Sequence, residues 1–178
     1  MYRQSLSRLL PLLALLLLGL WGSQARVLAS PSNDDYPGTL ISGLPGNITG
    51  TTVGATRQSG EYYYGDGSSV WYQWTAPVSG GVTFSTSSNA YNVIGVYQGG
   101  FASSNKVASN GYQTYTPSVT FHATAGVTYS ISISGTFGNT GSFLLYGGSA
   151  PLNDAFANAQ SISGSSGEVQ GSNISATS

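Results

Sequence analysis

Between two groups of turn-forming residues, Gly65-Asp66-Gly67 and Pro77-Val78-Ser79-Gly80-Gly81, the chain reads Ser69-Val70-Trp71-Tyr72-Gln73-Trp74-Thr75-Ala76. In extended backbone successive side chains point to opposite faces, so Val70, Tyr72 and Trp74 share one face and Trp71, Gln73 and Thr75 the other. The aromatics of this run bury more apolar area than any comparable stretch of the chain, and the breakers on either side limit it to strand length. A segment of this kind needs a second layer to cover it, and the rest of the sequence supplies one.

The same alternation recurs between Gly-rich breakers. Leu40-Ile41 and Asn47 to Val53 read as a first strand or two, and Gly81-Val82-Thr83-Phe84-Ser85-Thr86 alternates cleanly. Tyr91 to Tyr97 is more continuously apolar and is expected to be covered on both faces. Lys106 to Ser109 reads as a short strand, Ser118 to Ala123 places Val119, Phe121 and Ala123 on one side, and Val127 to Ser134 places Val127, Tyr129, Ile131 and Ile133 on one side. Gly141 to Gly147 closes the series. Seven to nine short strands, each with a polar face, predict an all-β, antiparallel β-sandwich with a jelly-roll-like arrangement. The short turns at Ala76 to Gly80 and Thr124 to Gly126 predict two hairpins, one joining 69–75 to 81–86 and the other 118–123 to 127–134.

The N-terminus reads as an address. Arg3 and Arg8 precede an apolar run from Leu9 to Leu20, and small residues follow at Ser23-Gln24-Ala25 and Val27-Leu28-Ala29. The run falls short of the ~20 residues a membrane-spanning helix needs, so residues 1–29 are expected to be a secretory signal peptide, cut after Ala25 or, preferably, Ala29, with no membrane insertion afterwards. The remainder is long enough for one domain with a real core. Beyond Ala29 only Arg57 and Lys106 are basic, against Asp34, Asp35, Glu61, Asp66, Asp154 and Glu168. Two cations make no basic patch, which argues against nucleic acid as a partner. The chain has no cysteine, which removes disulfides, thiolate catalysis and cysteine-ligated metals together.

After Ala150 the chain begins again. Asn153-Asp154-Ala155-Phe156 echoes Asn33-Asp34-Asp35-Tyr36, and 163–177 echoes 42–56, at an offset of 120 and then 121 residues. A period of that size is a whole domain. The organisation expected is therefore a signal peptide at 1–29, a β-sandwich at 30–149 and the truncated start of a second repeat at 150–178. The strand-forming part of that stub, Val169 to Ile174, has no partners of its own and could pair with a neighbouring chain; otherwise the chain is expected to be a monomer.

Asn33-Asp34-Asp35-Tyr36, Gly50 to Thr56, Gly60-Glu61, Ser69 to Pro77, Val96-Tyr97 and Val119 to Tyr129, in that order and spacing, resemble the bacterial pre-peptidase C-terminal domain. The resemblance spans about Ser32 to Gly148. It implies a β-sandwich related to the collagen-binding modules of bacterial collagenases, appended to secreted peptidases or strung in tandem in surface proteins, without catalysis of its own, and in some members calcium-binding. Two positions depart from the family pattern: Asn92 stands where an aspartate is frequent, and Gly111-Tyr112 where an acidic pair is frequent.

The candidate chemistry is sparse. A Ser-His-acid triad needs a histidine, and His122, the chain's single one, alternates onto the polar face of its strand. Glu61 and Asp66 could form a glycosidase carboxylate pair only by chance of loop packing, since loop acids ordinarily shape turns. Calcium needs several oxygen ligands, and Asn33, Asp34, Asp35, Glu61 and Asp66 supply candidates from two loops, as the resemblance also implies; no cofactor is required. Tyr62, Tyr63, Tyr64, Tyr91, Tyr112 and Tyr115 are the candidate ligand-binding surface, because tyrosine offers a flat apolar face and a hydroxyl at low entropic cost. The expectation is a secreted or cell-surface, non-catalytic module for targeting, adhesion or spacing, with extracellular polysaccharide or matrix protein as partner.

Overall fold

The computed structural model describes residues 28–61, 67–150, 161, 163, 164 and 166. The expected signal peptide, the expected second-repeat start and Tyr62, Tyr63, Tyr64 and Asp66 fall wholly or mostly outside these residues. Nine strands follow in order: β1 (Thr39–Ile41), β2 (Ile48–Thr51), β3 (Ser68–Thr75), β4 (Gly80–Ser88), β5 (Asn92–Gln98), β6 (Lys106–Ser109), β7 (Ser118–Ala123), β8 (Thr128–Gly135) and β9 (Ser142–Ser149). They form two sheets, one in the order β1-β3-β8-β5-β6 and one in the order β2-β9-β4-β7. Every pair is antiparallel except β1 with β3, which run parallel from Thr39↔Tyr72 to Ile41↔Trp74. The fold is an antiparallel β-sandwich.

The two expected hairpins do not form. β3 pairs with β8 and β1 rather than with β4, and β7 pairs with β4 rather than with β8. Both short turns instead carry the chain from one sheet to the other, and they lie side by side: Gly126 N–H donates to the Ala76 carbonyl at 2.8 Å, and Ala76 N–H donates to Val127 at 3.0 Å. Ser79 Oγ accepts from Ala125 N–H at 2.9 Å. The two arches thus satisfy some of each other's backbone groups, while their tips are exposed.

The alternation itself holds. Val70, Tyr72, Trp74, Phe84, Ile131, Ile133 and Leu145 meet between the sheets, each no more than 3% exposed. Trp74 lies edge-on to Phe84 with ring centroids 5.5 Å apart, and Phe121 lies edge-on to Tyr129 at 4.9 Å. Burying each such side chain contributes about 1.5–3 kcal/mol. β5 is covered on both faces, being buried from Asn92 to Tyr97.

The outer face of β3 is also covered. Trp71, 2% exposed, sits on it in contact with Tyr36 (5.6 Å), Tyr97 (5.6 Å) and Phe101 (5.7 Å). This second, smaller aromatic cluster fixes the entry segment and the β5–β6 loop to the sheet. Asn33 straps the entry segment to the same strand, its carbonyl accepting from Trp71 N–H at 2.8 Å and its Nδ2 donating to the Trp71 carbonyl at 3.2 Å.

Strand registers define the two ends of the sandwich. The starts of β3, β5 and β9 lie level with the ends of β8 and β4, as Ser68↔Gly135, Asn92↔Gly135 and Ser88↔Phe143 show. The β4–β5, β6–β7 and β8–β9 loops therefore emerge at one end, opposite the two arches.

Candidate binding surface at one end of the sandwich

Those three loops carry Tyr91, Tyr112, Tyr115 and Phe137, exposed by 38%, 74%, 48% and 67% respectively. An exposed aromatic is ordinary singly; several on adjoining loops are informative. Tyr91 and Tyr115 face one another with ring centroids 4.3 Å apart and planes tilted by 31°. A hydrogen bond to Tyr91 holds the Tyr115 proton and pushes that phenol above its ordinary value, with the charge of Tyr91 as the second cause.

The backbone beneath them is held on both sides. Going along the β6–β7 loop, Thr114 exchanges backbone hydrogen bonds with Asn92 at the start of β5 (3.0 and 3.2 Å), Tyr115 accepts from Ser88 N–H (2.9 Å) and Pro117 from Thr86 N–H (3.0 Å). Asn110 Oδ1 accepts from Ile94 N–H at 2.8 Å. The Asn92 amide, buried at the start of β5, accepts from Thr86 Oγ1 at 2.9 Å and donates to the Ala90 carbonyl at 3.2 Å. The loop thus bridges the β5 side of one sheet and the β4 side of the other. Thr136 Oγ1 donates to Gln113 Oε1 at 2.7 Å, tying the Phe137 loop to it.

The acidic candidates belong to the entry segment and the β2–β3 loop. Asp34 is buried, its carboxylate accepting from Thr56 N–H and from Thr56 Oγ1 at 2.9 Å. Glu61 is buried at the outer face of β3, its carboxylate accepting from Ser69 Oγ at 2.7 Å and from Trp71 Nε1 at 2.8 Å. Ser69 N–H in turn donates to the Thr56 carbonyl at 3.1 Å, so the two acids belong to one network. Asp35 is exposed, and Asn33 spends its amide on Trp71. Among the described residues no three His, Cys, Asp or Glu side chains gather as metal ligands. His122 is exposed on β7, with Gly81 as its cross-strand partner.

Sequence reasoning missed the Trp71–Glu61–Ser69 arrangement. A tryptophan on the otherwise polar face of a strand, two residues from a serine and ten from an acid, was the available signal. A recess of ≈ 500 Å³ lies at the opposite edge of the sandwich between β1 and β2, lined by Asn33, Thr49, Thr51, Tyr72 and Ser142 among others.

Against solved structures, the chain is similar to the pre-peptidase C-terminal domain of a collagenase from Bacillus anthracis, with 16% identity over 62% of this chain and 93% of that one and a TM-score of 0.47. It is also similar to PliG of Aeromonas hydrophila, a periplasmic inhibitor of g-type lysozyme, with 11% identity over 62% of this chain and 95% of that one and a TM-score of 0.34. No protein-family model and no curated protein matches the chain. Among the described residues no helix is long and apolar enough to cross a membrane.

Proposed function

We propose that the chain is a secreted, non-catalytic binding module whose sandwich presents the tyrosine-bearing loops to an extracellular partner. The observation that carries this reading is the gathering of Tyr91, Tyr112, Tyr115 and Phe137 on loops that emerge together, on backbone already fixed by the strands. Preorganised aromatic surface loses little entropy on binding. The reading as non-catalytic rests on His122, which stands alone on an outer strand face, and on Glu61, whose carboxylate is engaged by Ser69 and Trp71.

Calcium belongs to the same proposal as a stabiliser rather than a requirement. Asp34 and Glu61 share a network that the exposed Asp35 borders, while their oxygens already accept protein donors. Thermal-shift titration tests it, and an unchanged melting temperature removes it.

Binding is tested by screening the full chain against arrays of glycans and matrix proteins, with Tyr112→Ala as the comparison. Signal that falls in the variant supports the reading. Signal indifferent to Tyr112, Tyr91 and Tyr115 contradicts it.

A further inference from the structure

We propose that the tyrosine-bearing end takes an uncharged glycan, with sugar rings stacking on the exposed faces of Tyr91, Tyr112 and Tyr115; this rests on reading that end as the binding surface. The first argument is charge. The stretches 86–92, 109–117 and 134–142 contain no Asp, Glu, Lys or Arg. An acidic polysaccharide would need cations here, and a basic one would need carboxylates, because ion pairing dominates recognition of charged polymers. The β2–β3 loop reaches the same end, since Thr51 lies level with Ser142 and Ser68 with Gly135; of its charged residues Glu61 has its carboxylate buried, the Arg57 guanidinium donates to the Glu61 carbonyl at 3.2 Å, and Asp66 lies outside the described residues.

The second argument concerns the backbone. An extended protein segment binds a sandwich most readily by adding a strand to an open edge. Beside the tyrosines that edge is consumed: Thr114, Tyr115 and Pro117 already make ladder-like bonds to Asn92, Ser88 and Thr86.

The third argument is the chemistry that remains. A pyranose has an apolar face of C–H bonds and a rim of hydroxyls. The loops offer aromatic planes for the former and exposed amide and hydroxyl groups, at Asn89, Gln113 and Thr116, for the latter. Tyr91 and Tyr115, packed on each other at 4.3 Å, hold one another's rings in place while remaining 38% and 48% exposed.

The full chain is tested for retention on cellulose, chitin and starch, and in parallel on polygalacturonate, heparin and immobilised gelatin. Retention on at least one neutral polymer, unchanged between low and high salt, is expected. Tyr112→Ala, and Tyr91→Ala with Tyr115→Ala, should each weaken it about tenfold or more, the scale of losing one dominant contact. The paired Tyr91→Phe and Tyr115→Phe changes keep the ring faces and should retain most binding, which guards against a folding defect in the alanine pair. Tyrosine-dependent retention only on the charged polymers or gelatin overturns the uncharged-glycan assignment and leaves the binding end intact. No retention on any probe, or retention indifferent to the tyrosines, overturns both.

Discussion

Oε1 of Glu61 accepts a hydrogen bond from Trp71 Nε1 at 2.8 Å while its other carboxylate oxygen accepts from Ser69 Oγ at 2.7 Å, all three residues being buried. One loop acid therefore satisfies two donors on the outer face of β3 and holds the β2–β3 loop down on it.

Removing that acceptor strands both donors. Glu61→Ala should cost about 2–4 kcal/mol in urea unfolding, since each buried donor left unpaired costs about 1–3 kcal/mol. Glu61→Gln, which can accept through one oxygen only, should fall between that variant and the wild type. Equal stability of all three would show that the bonds contribute nothing.

Two tryptophans three residues apart should respond differently to the same change. Trp71 donates to Glu61, whereas the buried Nε1 of Trp74 has no hydrogen-bond partner. Trp74→Phe loses packing and also removes an unsatisfied N–H, so it should cost about 1 kcal/mol or less. Trp71→Phe loses packing and a charge-assisted bond together, and should cost about 1–3 kcal/mol more. The difference in unfolding free energy between the variants is the readout.

Two glycines with the same backbone conformation should also separate. Gly38 and Gly126 have φ of +74° and +77°, but a Cβ at Gly38 would lie 2.0 Å from the Trp71 carbonyl oxygen, while one at Gly126 meets nothing within 4 Å. Gly126→Ala should cost about 1–2 kcal/mol of left-handed strain. Gly38→Ala adds a backbone collision that no rotamer relieves, and should lower the melting temperature well beyond the Gly126 variant.

Alkaline stability should depend on Tyr72. Burial pushes its phenol above the ordinary value of 10.0, with Asn33 pulling in the other direction. The folded state therefore holds this proton after the unfolded chain has released it. Its contribution is fully present below about pH 10 and is lost as pH rises through the folded value. Tyr72→Phe should flatten the fall of unfolding free energy above pH 10; an unchanged slope would count against a buried, protonated Tyr72.

What the sequence disclosed was the face each residue occupies. Val70, Tyr72 and Trp74 point inward, Val119 and Ala123 likewise, and His122 outward, as a period of two requires. Strand partners were not legible at Ala76–Gly80 and Thr124–Gly126, because a short turn can close a hairpin within one sheet or arch the ~10 Å to the other with the same inward face. Trp71 shows the same limit from another side. Its burial depends on Tyr36 and Phe101, brought over the sheet by loops whose paths no local pattern encodes. The tyrosines at 91, 112 and 115 were visible as residues, but the packing of Tyr91 on Tyr115 and the emergence of their loops at one end followed only from strand register.

The most direct test of the account follows backbone amide shifts of the full chain while soluble cello-, chito- and malto-oligosaccharides are added. Shifts confined to the β4–β5, β6–β7 and β8–β9 loops, centred on Tyr91, Tyr112 and Tyr115, are predicted for at least one series. Shifts centred instead on the recess lined by Thr49, Thr51 and Ser142, or none with any series, would contradict it.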